Sequence, residues 1–349
     1  MHRRFVPALL FPPVTLFAFV LLAVSPAQAS FVNLGPAGDF NVFVLNDNTQ
    51  SGSDAEGRVA VGNNAHLSTY SVASHMGSGT DNLIVGGNLT KVSTNFHGDL
   101  LVNGNVDWNT PTISGRVAVN GNATFTGGGN IVGPVTVAGT YTAPPWFPAN
   151  NPGTTPLPFA FGEVGDYLIS QSAYLASLPA NGTTTISFEQ VHLTANNPGD
   201  TYVSFNVTGA EMAAADGAGL FITAPAGATV VVNVSGTIDS MASMGIFLTG
   251  VDQQHVLYNF FEATSLTLAA IGVEGSILAP LADVNFASGN IDGTLIARNL
   301  TGMGESHDFL FEGDLPLNPV PEPSTILLGL SGLAALAVHG LRRRRAIAR

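Results

Sequence analysis

The 349-residue sequence contains no cysteine, and its 11 lysine and arginine residues are outnumbered by 24 aspartate and glutamate residues. Without cysteine the chain has no disulfide bond, no thiol nucleophile and no cysteine metal ligand. Between residues 30 and 321 the only basic residues are Arg58, Lys91, Arg116 and Arg298. Because so few cations cannot neutralise a phosphate backbone, the composition argues against nucleic acid as a partner.

The sequence also lacks the common catalytic motifs. It has no serine-nucleophile elbow, no phosphate-binding loop and no zinc motif. We therefore predict no enzymatic activity and no cofactor. The charged fraction is only 10%, the chain contains 40 glycines, and Val, Thr, Ile, Asn and Ala recur. This composition favours strands joined by tight turns, and it predicts a mainly β protein.

The N-terminus has the three parts of an export signal. Residues 1–4 are basic, residues 5–24 are apolar, and Ala27 and Ala29 place small side chains at the cleavage positions. This order predicts a signal peptide over residues 1–29, cut by signal peptidase after Ala29. The alternative is an uncleaved membrane helix, although Pro12 and Pro13 interrupt the apolar run.

The C-terminus, residues 318–349, also has three parts. A short motif precedes an apolar run over residues 326–341, and a basic tail over residues 342–349 follows it. An apolar helix stopped by arginines predicts a membrane segment with its basic end in the cytoplasm. The run is slightly short for a stable span, so we expect a temporary anchor. The motif and the arginines are Val320, Pro321, Glu322, Pro323, Ser324, Thr325, Arg342, Arg343, Arg344 and Arg345.

These three parts, in this order, resemble the PEP-CTERM sorting signal of Gram-negative bacteria. The resemblance implies that exosortase, a membrane protease-transpeptidase, recognises the Pro-Glu-Pro element. It also implies a protein that is exported, held transiently in the inner membrane, and then placed on the cell surface or in the extracellular matrix.

A short repeat occupies the N-terminal half. Two or three alternating apolar residues precede a Gly-Asn pair or a near equivalent, and the glycines Gly62, Gly87, Gly104, Gly121 and Gly139 follow at intervals of 25, 17, 17 and 18 positions. Short strands at a nearly fixed period predict the stacked coils of a right-handed parallel β-solenoid. An antiparallel β-sandwich with Asn-Gly hairpins is the alternative, but hairpin strands usually recur at about 8 to 12 residues.

We expect one domain over residues 30–317. A proline-rich connector over residues 143–161 carries Trp146, Phe147 and Phe159, whose rings we expect to pack against the body. A helix is predicted over residues 163–178, alongside the solenoid, since apolar residues recur there at helical spacing. Strands return after residue 183, and residues 229–238 read as a core strand.

Five stretches resemble the "choice-of-anchor A" family of bacterial surface proteins: residues 40–45, 53–62, 275–284, 289–297 and 304–313. The resemblance spans about residues 33–315. It implies an adhesive or matrix-associated module without enzymatic activity, and a PEP-CTERM tail is one of the anchors expected in that family. Exopolysaccharide or other surface proteins are the partners that it suggests.

Two polar clusters are candidate sites. Asp54, Glu56 and Arg58 alternate, so on a strand they share one face, where the two carboxylates could hold Ca²⁺ or act in acid-base chemistry. We expect instead a structural role, an ion pair in which Arg58 neutralises both carboxylates and closes the first coil. Glu305, His307 and Asp308 form the second cluster. No second histidine lies at a ligand spacing, so we expect His307 to tie the last segment onto the solenoid rather than bind a metal.

The residues thus favour an exported adhesive or structural surface module. The alternative is a polysaccharide-active or polysaccharide-binding β-helix protein with acidic residues in a groove. An ice-binding solenoid would need a flat threonine-rich face, and irregular spacing argues against one for Thr124, Thr126, Thr136, Thr140 and Thr142. The turn asparagines, which include Asn63, Asn88, Asn105 and Asn122, could form a ladder along one edge, but we expect them to serve chiefly as turn residues that suit the backbone geometry.

Overall fold

In the computed structural model, the described residues are 31–76, 81–93 and 95–318, and Phe31–Asn318 form one compact unit. The predicted signal peptide and the sorting segment from residue 319 onward lie outside the described residues. Within the described ranges, no helix has both the length and the hydropathy needed to cross a membrane.

The body is a β-solenoid whose N-terminal coils each contribute three short strands. The coil of residues 100–113, for example, has strands at Leu100–Val102, Val106–Asn109 and Thr112–Ile113. Equivalent strands of successive coils stack in parallel, with Leu100 opposite both Leu83 and Val117. The interval of 17 residues therefore places equal positions of neighbouring coils in register. The predicted parallel solenoid is confirmed, and the antiparallel sandwich is wrong.

The three strands of each coil build three faces. The first face contains Tyr202–Thr208, Thr229–Ser235, Val256–Asn259, the first halves of Ser276–Phe286 and Leu295–Gly302, Val42–Val44, Val59–Val61, Leu83–Val85, Leu100–Val102, Val117–Val119 and Val135–Val137. The second face contains Ile238–Ala242, Ser265–Ala269, the second halves of the same two long strands, Asn48–Ser51, Ala65–Ser68, Leu89–Val92, Val106–Asn109, Ala123–Thr126 and Tyr141–Thr142.

The third face is built from two separate sheets. The larger contains Ile271–Glu274, Gly289–Asp292, Glu305–His307, Asp54–Ala55, Ser71–Val72, Asn95–Phe96, Thr112–Ile113 and Asn130–Ile131. The smaller contains Gly182–Ser187, Gln190–Ala195, Leu220–Thr223 and Ile246–Thr249. Its first two strands pair antiparallel, whereas the other pairings between the described strands are parallel.

The stacking order differs from the chain order. Val42 pairs with Val59 on one side and with Leu295 on the other, so the first strand lies inside the solenoid and not at its end. Coils formed by residues 42–142 extend in one direction from this strand, and coils formed by residues 202–302 extend in the other. The start and the end of the folded unit therefore meet at a closure between adjacent coils.

A long helix, α1 (Phe161–Ser177), covers the first face, in agreement with the helix predicted over residues 163–178. Val164, Leu168 and Leu175 are fully buried in one cluster with outward-facing residues of the first face, including Phe43 and Ile296. This packing explains why the strands there are buried on both sides. A hydrogen bond of 2.5 Å from Ser172 Oγ to Asn259 Oδ1 adds a polar anchor.

The connector before α1 follows the expectation only in part. Phe147 is buried, and Phe159 packs its ring against Phe40 and Phe43. Trp146 is 63% exposed, so its predicted packing is wrong. The strand Thr229–Ser235, predicted as core, has six buried residues in succession.

Short helical elements complete the unit. They are the 3₁₀ turns Gly35–Asp39 and Gln253–His255 and a second helix, α2 (Gly209–Ala214). The sequence prediction missed α2, although Thr208 and Glu211 form a reciprocal capping box at its start.

Candidate binding face and closure cluster

The second face carries a column of short polar side chains that point outward. Parallel register aligns one such position on ten successive strands, and none of these residues is buried. The column, called here the hydroxyl column, consists of Ser240, Thr267, Asn285, Thr301, Thr49, His66, Thr90, Asp107, Thr124 and Thr142. Since neighbouring strands lie about 4.8 Å apart, the column is a regular linear array.

Flanking positions extend the array sideways. Two residues further along the strands, a second outward row contains Ser51, Ser68, Val92, Asn109 and Thr126. Inward positions between the two rows carry core residues such as Leu67 and Trp108, which anchor the strands. The face therefore presents hydroxyl and amide groups on a rigid support.

This arrangement corrects the expected irregularity of the threonines only in part. Thr124 and Thr142 lie in the hydroxyl column and Thr126 in the row beside it, whereas Thr136 lies on the first face and Thr140 between strands. Six of the ten positions in the hydroxyl column are threonine. They are unevenly spaced along the sequence because turns of different lengths separate the strands, but register aligns them in space.

An asparagine ladder borders the second face. The side-chain oxygen of Asn88 accepts from the backbone N–H of Asn105 at 2.9 Å, and that of Asn105 accepts from Asn122 at 2.8 Å. Asn64, and not Asn63, is the preceding member, since Asn64 Oδ1 accepts from the Asn88 N–H. The predicted ladder at this edge is present and satisfies the backbone at each corner.

The closure cluster lies on the third face, where the last strand meets the first coil. His307 Nδ1 lies 2.6 Å from Asp292 Oδ1, and its Nε2 lies 3.5 Å from Glu305 Oε1. Glu56 contacts His75 Nδ1 at 2.8 Å and accepts from the Asp308 N–H at 3.1 Å. Ligand atoms of Glu56, Glu305 and His307 all lie within 4.8 Å of one another. Glu56 from the first predicted cluster thus joins Glu305 and His307 from the second in a single site.

Arg58 takes no part in this cluster. Its guanidinium donates to the carbonyl oxygens of Asp39 and Asp81 and lies 4.2 Å from the centre of the Phe40 ring. The strand ends at Ala55, and the turn that follows directs Arg58 away from the carboxylates. The expected ion pair of Arg58 with Asp54 and Glu56 is therefore wrong. Asp54 accepts from Ser74 Oγ instead, at 2.5 Å.

Burial and charge shift several pKa values in the cluster. Burial lowers the pKa of His307, but its hydrogen bond to Asp292 and the nearby carboxylates outweigh this effect, and the pKa is raised overall. Burial raises the pKa of Asp308, and the charge of Glu56 raises it further. Burial likewise raises the pKa of Glu274, with a further contribution from Asp292. Negative charge is thus concentrated around one histidine.

A cavity of about 220 Å³ near the C-terminal end of α1 is lined by Glu211, Asn206, Thr208 and Phe261 among others. Glu211 is held in the capping box by Thr208, and the lining residues include no second carboxylate. Asp54 and Glu56, the acidic pair considered for catalysis, lie on the third face and do not line this cavity. The geometry offers no acid-base pair in that cleft.

Comparisons with known proteins identify the two parts of the chain. Residues 33–308 match a family described as "Putative Ice-binding-like adhesive domain", and residues 319–345 match the PEP-CTERM protein-sorting motif. Among solved structures, the chain is similar to an ice binding protein from an Antarctic bacterium, Flavobacteriaceae, at 12% identity and a TM-score of 0.28. That similarity covers 83% of this chain and 99% of the other.

No curated protein sequence matches the chain. The family match nevertheless covers most of the sequence, and the sorting motif lies directly after it. The chain belongs to the ice-binding-like adhesive domain family and, with its PEP-CTERM motif, is an exported surface protein.

Proposed function

We propose that this protein is a non-enzymatic adhesive module that binds exopolysaccharide through the second face. The observation that carries the proposal is the hydroxyl column, in which ten aligned outward positions are polar and not buried. Threonine, serine and asparagine side chains both donate and accept hydrogen bonds, as sugar hydroxyls do. A regular, linear array of such groups suits an extended, hydroxyl-rich polymer better than a compact ligand.

Rigidity supports this function. The side chains stand on strands whose inner positions are packed in the core, so little conformational entropy is lost when they bind. Each contact is weak, but a polymer that contacts many coils at once gains from their number. Binding therefore depends more on an unbroken row of polar positions along the second face than on the strength of any one contact.

A cell-attachment assay tests the proposal. Cells that display the Thr90→Arg variant should adhere to a layer of their own exopolysaccharide less well than cells that display the unchanged chain. Thr112→Arg is the matched control, because Thr112 is an exposed strand residue on the third face. Equal loss of attachment in both variants would contradict binding by the second face.

We further propose the route by which the protein reaches its place in a Gram-negative bacterium. Signal peptidase cuts after Ala29, the segment over residues 326–341 holds the chain transiently in the inner membrane, and exosortase processes it at Pro321-Glu322-Pro323. The support is the sorting-motif match over residues 319–345. Removal of residues 320–349 should shift the protein from the surface fraction to the medium. Unchanged surface retention would contradict this route.

Ice binding is a second candidate, favoured by the six threonines of the hydroxyl column. His66 and Asp107 interrupt that column near its centre, and a charged carboxylate holds water more strongly than a hydroxyl does. Thermal hysteresis measured beside polysaccharide binding separates the two functions. Hysteresis without polysaccharide retention would favour ice, and release of reducing sugar would favour a polysaccharide-active enzyme.

A further inference from the structure

The closure cluster contains a histidine, His307, that has a carboxylate near each of its ring nitrogens. His307 Nδ1 lies 2.6 Å from Asp292 Oδ1, so the ring N–H is assigned to that nitrogen. Nε2 then carries a lone pair, and 3.5 Å from it lies Glu305 Oε1, which is also an acceptor. A cation between these two acceptors would satisfy both, as would a second proton on the ring or a bridging water.

Neighbouring coils increase the negative charge at this point. Register places Glu274, Asp292 and His307 side by side on successive strands, and the pairing of Ala55 with Ser306 places Glu56 next to His307 on the other side. The side chains of Glu56 and His307 are only 16% and 27% exposed, so water screens them incompletely. Two histidines, His307 and the exposed His75 that contacts Glu56, thus face a larger number of carboxylates.

We propose that Glu56, Glu305 and His307 bind a divalent transition metal ion such as Zn²⁺, and that this ion joins the last strand of the unit to its first coil. The donor set is one imidazole nitrogen and two carboxylates, with ligand atoms within 4.8 Å of one another. Three protein ligands with water in the fourth position are the arrangement of catalytic zinc sites, and here the same ligand number would hold an ion that joins two strands. The nitrogen donor favours Zn²⁺ over Ca²⁺, which prefers oxygen ligands alone.

Asp292 has a supporting role. A metal-binding histidine usually donates its other ring N–H to a carboxylate, which orients the ring and makes the ligand nitrogen more basic. Asp292 occupies this position, and Asn290 Nδ2 holds its Oδ1 at 2.8 Å. The ion would thus lie between an oriented histidine on one strand and Glu56 from the first coil.

Titration of the full-length chain with ZnCl₂ tests the proposal by calorimetry, with thermal unfolding as a second readout. We expect one site that is lost in His307→Gln and Glu305→Gln and weakened about 10- to 100-fold in Asp292→Asn. CaCl₂ at the same concentration should not raise the melting temperature comparably. His255→Gln is the matched control, since His255 also pairs with an aspartate, Asp252, at 2.6 Å; it should bind Zn²⁺ unchanged.

Equal Zn²⁺ affinity in the unchanged chain and in His307→Gln would overturn the proposal, and so would the absence of Zn²⁺ binding to the unchanged chain. Should His307→Gln fail to fold, Glu305→Gln decides the question, because Glu305 is 46% exposed and its removal leaves the core intact.

Discussion

The backbone N–H of Asp47 donates to the side-chain oxygen of Asn299 at 2.9 Å, although the two residues are 252 positions apart. Asn299 Nδ2 in turn donates to Asp283, while Asp47 Oδ1 accepts from the Asn64 N–H at 3.0 Å. The polar ladder at the edge of the second face therefore runs without interruption across the closure. It joins the last coils to the first ones by the same contacts that join neighbouring repeats.

The first prediction concerns this junction. Asn299→Ala should lower the free energy of unfolding by about 1 to 3 kcal/mol, because it removes the acceptor for Asp47 and the donor to Asp283. Urea unfolding measures the change. Asn130→Ala is the control, since Asn130 is an exposed strand residue for which no side-chain hydrogen bond is found among the described residues. A loss no larger than that of the control would show that the ladder does not stabilise the closure.

The second prediction concerns the glycines at the coil corners. A Cβ on Gly104 would lie 2.4 Å from the carbonyl oxygen of Gly87 in the adjacent coil. Gly104→Ala should therefore push two coils apart and destabilise the protein by about 1 to 3 kcal/mol. Gly128→Ala is the matched control, because no atom lies within 4 Å of its added Cβ. Equal melting temperatures for Gly104→Ala and Gly128→Ala would contradict the close packing of corner glycines against the adjacent coil.

The third prediction concerns Lys91, the only lysine in the sequence. Its side chain is fully buried, with the ammonium donating to the Tyr70 carbonyl and lying 5.3 Å from the Trp108 ring. Burial lowers the pKa of Lys91 from 10.5 to about 7. Because the unfolded chain holds this proton more tightly, Lys91 destabilises the fold fully below about pH 7, and this penalty is lost as the pH rises from 7 to 10.5.

Lys91→Met removes the titrating group and keeps a long apolar side chain. As the pH rises from 7 to 9, the unfolding free energy of the unchanged chain should therefore increase relative to that of Lys91→Met. Denaturant unfolding at several pH values in this window measures the difference. A difference that stays constant with pH would contradict the lowered pKa.

Much of the fold could be predicted from local sequence. The 17-residue interval between Gly87, Gly104 and Gly121 indicated stacked coils, since each strand and its corner glycine repeat together. Helical spacing located α1 to within two residues at each end. Both signals lie within short windows of the chain, where periodicity is strong.

The remaining features depend on contacts between distant residues. No local pattern indicates that Val42 pairs with Leu295, so the inserted position of the first strand was missed. The same limitation hid the hydroxyl column, because Thr49 and Thr301 become neighbours only through this pairing. It also hid the proximity of Glu56 and His307, which lie about 250 positions apart in the sequence and were therefore predicted to belong to separate clusters.

The most direct test of the central claim is the retention of the purified full-length chain on isolated exopolysaccharide from the producing bacterium. The double variant Thr90→Arg, Thr124→Arg places two large cations on the second face, and Thr112→Arg, Asn130→Arg places the same charge on the third face. We predict at least about a tenfold loss of affinity for the first variant, which corresponds to about 1.4 kcal/mol, and little change for the second. Equal affinity of the two variants would contradict an adhesive role for the second face.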